Sequence, residues 1–173
     1  GRTGGANAAQ PSFYDGKQVT LIVPSSSGSG YDAYARTVAR TLPNHIAGHP
    51  AILVQNMPGA GGIRGANYLY NVAPKDGLTI GELQNGVPLE PFYKDKSAHF
   101  DPLKFNWLGS PSQEISVFLL WHTVPVNTIA DAQHRQLVIG AGGASSGGAF
   151  DARLAESVFH LKIKLVAGYK GLG

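Results

Sequence analysis

Along the chain, aliphatic and β-branched residues come in short blocks separated by runs rich in glycine, serine and proline. The first block, residues 19–23 (Val-Thr-Leu-Ile-Val), predicts a strand, and the turn-rich stretch 24–30 follows it. Tyr34, Val38 and Leu42 then recur at i, i+4 and i+8, the spacing of one helix face, which predicts a helix over 31–42. The same order repeats. Residues 51–55 read as a strand, 56–62 as a second glycine loop and 63–72 as a helix, and after the Pro74-Lys75-Asp76-Gly77 turn residues 78–83 read as a third strand.

Over 86–104 the periodicity is lost, and Pro88, Pro91 and Pro102 interrupt the stretch. Apolar blocks at 106–110 and 115–121 predict two further strands. Beyond them come a short helix at 128–133, a strand at 136–139, a third glycine loop at 140–148, a helix at 149–159 and a strand at 162–166. Alternating elements of this length predict an α/β fold, a mainly parallel sheet covered by helices on both faces. The loss of pattern places a domain boundary near residue 104. Residues 12–104 then make a first α/β domain, and 105–173 a partial second one with too few elements to enclose its own sheet. Residues 1–11 are small and polar and read as a disordered lead, within which Ala6-Asn7-Ala8 has the A-x-A form of a signal-peptidase site. The uncovered strand at 162–166 predicts association with a second copy through the C-terminal half.

Composition narrows the classes of function. Fourteen Lys and Arg against eleven Asp and Glu give a net charge of +3, and the basic residues are scattered. Without a polybasic patch, neither nucleic acid nor an anionic membrane is the expected partner. The longest apolar run, 117–121, is far short of the roughly 18 residues a membrane-spanning helix needs. Cysteine is absent, which removes disulfides, zinc-thiolate sites and thiol nucleophiles together. Glycine, at 23 of 173 residues, is the outlier, and it is gathered into the three loops.

The first loop, Ser25-Ser26-Ser27-Gly28-Ser29-Gly30, joins a strand to a helix N-terminus, where unsatisfied N–H groups and a partial positive charge favour an anion. A plain strand-to-helix turn capped by a serine hydroxyl fits the same residues. Gly28-Ser29-Gly30-Tyr31-Asp32-Ala33 also fits G-x-G-x-x-A, but the dinucleotide fingerprint needs an acidic residue at the end of the next strand, where this chain has Gln55-Asn56. No Lys-Ser or Lys-Thr follows a glycine cluster, so a Walker loop is excluded. In the third loop, Gly143-Ala144-Ser145-Ser146-Gly147 matches the G-x-S-x-G nucleophile elbow. An α/β-hydrolase using Ser145 would need an acid and a histidine from later in the chain, and Asp151 and His160 fall on one expected helix. His45 and His49 flank a loop glycine and read as solvated rather than metal-bound. Asp32 either complements the helix dipole or orients the glycine loop or a ligand.

Several motifs together carry a family resemblance. Phe13-Tyr14-x-Gly16-Lys17-x-Val19, Gly30-Tyr31-Asp32-Ala33-Tyr34-Ala35-Arg36, Gln55-Asn56-Met57-Pro58-Gly59-Ala60-Gly61-Gly62, Ala73-Pro74-Lys75-Asp76-Gly77-x-Thr79-Ile80-Gly81 and Gly168-Tyr169-Lys170-Gly171 resemble the tripartite tricarboxylate transporter receptors, or Bug proteins. The resemblance implies a type II periplasmic-binding-protein fold, with two α/β domains around a cleft. It implies a periplasmic receptor that delivers a small organic carboxylate to the membrane components of a tripartite transporter, without catalysis, metal or cofactor. Its ligand loops, carried onto this chain, are Ser25, Ser26, Ser27, Gly28, Ser29, Gly30, Tyr31 and Asp32 on one side and Gly143, Ala144, Ser145, Ser146 and Gly147 on the other. The family usually has more glycine where this chain has Ser25, Ser26 and Ser29, and its members are roughly twice as long, so the chain reads as incomplete. A fragment that binds no ligand is the remaining alternative.

Overall fold

A computed structural model of the chain describes residues 12–93, 96–113, 115–143 and 146–169. The expected lead, 1–11, lies outside the described residues, as do Ala144 and Ser145 of the third glycine loop.

The first sheet has the order β2-β1-β3, built from β1 (Gln18–Val23), β2 (Ala51–Asn56) and β3 (Thr79–Gly81), with both pairs parallel. Val19, Leu21, Ile22 and Val23 are all buried, as expected of a central parallel strand covered on both faces. Helix α1 (Gly30–Thr41) covers one face, where Leu21, Val23 and Ala35 pack together with Ile52, Val54 and Ile80. Helix α2 (Ile63–Asn71) covers the other. A side chain at Gly81 would overlap Leu69 of this helix, and one at Gly65 would lie 2.5 Å from Cβ of Pro24. Beside α2, Ile63, Ala66, Val87 and Phe100 form a second buried cluster.

This order fixes where a ligand can enter. The connection from β1 runs to β2 on one side, and the connection from β2 returns across β1 to β3 on the other. The crevice between oppositely directed connections opens at the C-terminal ends of β1 and β3. The β1–α1 loop and the residues after β3 are therefore neighbours in space.

A second sheet pairs β4 (Gln136–Ala141) with β5 (Lys162–Ala167), again in parallel, with α4 (Gly147–Phe159) as the crossover. Ala149, Ala152 and Ala155 form the buried stripe of α4. The short α3 (Ile129–His134) precedes β4 and starts in a capping box. Thr128 accepts the Asp131 N–H and Asp131 accepts the Thr128 N–H.

Two expectations fail. Residues 106–110 and 115–121 form no strand, and no described residue pairs with either stretch. Ile115 and Leu119 are each 90% exposed. β-Branched and aromatic composition favours an extended chain, but a strand is held by a neighbouring ladder, and neither stretch has one to join among the described residues. The third strand is also shorter than 78–83, because β1 offers it partners only at Thr20, Leu21 and Ile22.

The contact between β3 and α2 generates a stability prediction. Gly81→Val forces a branched side chain against Leu69 and should destabilise the chain by about 1–3 kcal/mol, as overpacking of a filled core does. Urea denaturation of the variant beside the parent chain measures it.

Candidate functional site

The β1–α1 loop is organised by one carboxylate. Asp32 sits in the first turn of α1 and is 3% exposed. Its Oδ2 accepts the Gly28 N–H at 2.8 Å and the Arg36 Nε–H at 2.9 Å, while Oδ1 accepts from Nδ2 of Asn56 at 2.9 Å. Gly28 reaches this arrangement at φ +83°, a backbone conformation that glycine adopts without strain. Asn56 ends β2, and the same amide donates to the Ser25 carbonyl at 3.1 Å. Ser29 is the N-cap, its hydroxyl accepting the Asp32 N–H at 3.3 Å and lying 2.8 Å from the Ser25 hydroxyl.

Of the two readings of Asp32, orienting the glycine loop describes its bonds. Its first-turn position still complements the helix dipole. The Arg36 guanidinium, the Gly28 N–H and the Asn56 amide, in that order of effect, hold its carboxyl well below the usual carboxylate range. The Gly28 N–H is thus engaged by the protein itself, and Ser26, Ser27, Gly28 and Gly30 lie at the exposed rim of the loop.

The second glycine loop, following β2, runs through four consecutive residues of positive φ, Gly59 at 141°, Ala60 at 48°, Gly61 at 64° and Gly62 at 104°. It carries the chain to the N-terminus of α2 and brings its backbone against the third loop. A Cβ on Gly143 would lie 3.3 Å from Cα and N of Gly61. In the third loop, Ser146 donates its hydroxyl to the Gly143 carbonyl at 2.9 Å and its N–H to the same oxygen at 3.1 Å. Ser146 is the N-cap of α4, and a Cβ on Gly147 would lie 2.8 Å from Oδ1 of Asn85. That oxygen also accepts the Tyr31 hydroxyl at 3.3 Å. Asn85 therefore stands between the first turn of α1 and the first turn of α4.

All three glycine loops converge, together with Tyr31 and Asn85. Asn56, Gly61, Glu82 and Asn85 were absent from the sequence-based site. The signal that points to them is positional, since Asn56 closes β2 and Glu82 and Asn85 follow β3, at the strand ends that border the crevice. Glu82 has a buried oxygen, Oε2, that accepts no hydrogen bond from a described residue. Burial first, and the Asp32 charge second, push its carboxyl up to about 7.

Catalytic and metal arrangements find less support. His160 is at the far end of α4, about 20 Å along the helix from Ser146. Asp151 lies on that helix too, so these two groups do not meet at the third loop. His49 contacts the Pro43 carbonyl through Nδ1 at 2.8 Å, and no group of three potential metal ligands occurs among the described residues.

No protein-family model matches the chain. It is 30% identical over 176 residues to a UPF0065 protein from the TAR-I ttuE-ttuC' intergenic region of Agrobacterium vitis, an alignment covering 92% of this chain and 47% of that protein. With the protein BugT of Bordetella pertussis it shares 37% identity over 76 residues, 44% of this chain and 22% of BugT. Among solved structures, Rpa4515 of R. palustris with adipate superposes with a TM-score of 0.60 at 24% identity, over 90% of this chain and 53% of that one. A periplasmic transporter protein gives a TM-score of 0.67 at 22% identity, over 92% and 55%. The chain thus has the α/β fold of periplasmic binding proteins and is related in sequence to the Bug proteins, and it spans about half the length of the relatives it matches.

The bonding of Asp32 sets a pH-dependent prediction. A carboxylate held below its ordinary value of 3.8 contributes stability above that pH and loses it as the pH falls through its own lower value. Asp32→Asn should therefore unfold at a lower temperature than the parent chain at pH 7. The gap should narrow in acid below about pH 4. Thermal unfolding followed by circular dichroism across that range checks both points.

Proposed function

We propose that this chain, similar to a UPF0065 protein over about half of that protein's length and to BugT over a shorter stretch, forms the ligand-gripping part of a periplasmic receptor. The receptor captures a small organic carboxylate and passes it to the membrane components of a tripartite transporter. One observation carries the reading: the loops that begin α1 and α4 meet at a single place, with Asn85 bonded to Tyr31 and adjoining Gly147. Two helix N-termini then face one small volume, each contributing backbone donors and a partial positive charge.

In this reading the ligand is held by Ser25, Ser26, Ser27, Gly28, Ser29, Gly30, Tyr31 and Asp32 together with Gly143, Ala144, Ser145, Ser146 and Gly147. Asp32 acts by shaping the loop. Micromolar capture needs about −8 kcal/mol, while one helix N-terminus supplies about 0.3–2 and a hydrogen bond to a charge roughly 1.5–3. A single loop falls short, so both must engage the ligand. The hydrolase alternative is weakened by the distance of His160 from the third loop, and one structural neighbour is described as a periplasmic transporter.

A thermal-shift and calorimetric screen of mono- and dicarboxylates, adipate included, tests the reading. The expected outcome is a stabilising, saturable response to at least one of them. Gly147→Val places a branched side chain against Asn85 and should weaken that binding by about tenfold or more, with the far-ultraviolet dichroism unchanged. A panel without any binder sinks the proposal.

The polypeptide also carries an apolar stretch suited to a second copy of itself. Trp107, Leu108, Ile115, Val117, Leu119 and Trp121 are exposed. Exposed large apolar side chains gathered in one stretch of sequence favour association. At tens of micromolar, light scattering should report an oligomer, and the double variant Ile115→Asp, Leu119→Asp should shift it toward the monomer.

A further inference from the structure

Glu82 comes directly after β3, and its N–H still bonds the Ile22 carbonyl at 3.0 Å, so it extends the ladder by one residue. By strand alternation it falls on the same face as Ile80, which packs with Leu21, Val23 and Ala35 under α1. A carboxyl group is thereby set at the C-terminal edge of the sheet, below the helix N-terminus that opens toward the ligand loop. Its Oε2 is buried and accepts no hydrogen bond from a described residue.

Asp32 of α1 acts on Glu82 through space, and Asp32 is itself bound to Arg36 at 2.9 Å. On the same face β1 and β2 present Leu21, Val23, Ile52 and Val54, none of them ionisable. The segment after Glu82 brings the neutral Gln84, whose amide donates to the Pro24 carbonyl, and Asn85. Arg64 belongs to α2 on the opposite face, where it reaches the Pro58 carbonyl.

Asp32 and Arg36 carry one charge of each sign, so the formal net charge of the three groups is set by Glu82. It is zero when Glu82 is protonated and minus one when Glu82 is ionised. An ionised Glu82 would oppose the positive end of α1 and repel an incoming carboxylate. We infer that anion capture at the β1–α1 loop is linked to a proton on Glu82: the loop binds its ligand with Glu82 neutral, and binding to the ionised form takes up one proton from solvent. The inference rests on the receptor reading above. Its physical basis is a half-buried carboxyl at the sheet edge, whose Oε2 is buried and accepts no hydrogen bond from a described residue, beside the ionised Asp32; the Glu82 pKa, pushed up to about 7, puts the transition near neutral pH.

The test uses the 173-residue chain and its Glu82→Gln variant, with the same carboxylate panel, from about pH 5.5 to about pH 8.5. The parent chain should lose affinity by roughly thirtyfold across that range, nearly tenfold per pH unit above 7, as uptake of one proton requires. Glu82→Gln should stay level, with the affinity the parent shows in acid. Calorimetry in buffers of different ionisation enthalpy should find proton uptake by the parent chain near pH 7.5 and none by the variant. Binding with parallel pH profiles in the two proteins overturns the linkage and leaves the receptor reading intact. Absence of binding at every pH overturns both. A carbon-13 titration of the unliganded chain supplies a readout independent of any ligand, and a Glu82 carboxyl titrating in the ordinary carboxylate range overturns the inference.

Discussion

The geometry of the β1–α1 loop depends on one buried aspartate with three donors. Asp32 draws on a loop glycine, a helix arginine one turn along and an amide at the end of the adjacent strand, which ties the start of α1 to β2. A buried carboxylate is costly unless hydrogen bonds and an opposite charge compensate it, and here both do. Without that anchor, the serine-rich stretch between β1 and α1 would keep its cap, its serine pair, the Ser26–Ser29 turn and the Asn56 bond to the Ser25 carbonyl, but lose the bonds that fix Gly28 to α1 and α1 to β2. Its glycines supply conformational freedom, and Asp32 removes it.

Much of the fold was legible because hydrophobic period and turn chemistry agree for most of the chain. β1, α1, β2, α2, β4, α4 and β5 all fall within a residue or two of where the pattern puts them. The pattern misled where apolar residues are exposed. Between 106 and 121, composition suits a strand but no neighbouring strand is present among the described residues, and a ladder is a property of two segments rather than one. The site was partly legible for a similar reason. Glycine clusters and a helix start can be read locally, so the first and third loops could be picked out as candidates. Asn85 and Asn56 matter through contacts with residues 54 and 24 positions away, and a single amide in a loop gives no local sign of such a contact. Glu82 was hidden too, since an acidic residue just after a short strand ordinarily reads as solvated.

The meeting of the second and third loops is made of backbone. Gly61 and Gly143 approach so closely that a methyl group on Gly143 would sit 3.3 Å from its neighbour. This contact selects for smallness rather than for any chemical group, which is why it registers in the sequence only as glycine richness. It brings the start of α4 within reach of Asn85, so the two anion-attracting helix ends owe their proximity to missing side chains.

The amide of Asn56 has a consequence for how the loop comes into being. Gly28 and Arg36 lie within four residues of Asp32 and can find it as soon as α1 begins to form, whereas Asn56 is 24 residues away and arrives only when β2 docks in parallel beside β1. Local contacts form early in folding and distant ones late. Newly made chains would thus pass through a stage with α1 formed and the loop still unlatched, and the loop would acquire its final shape only with the closing of the first β-α-β unit.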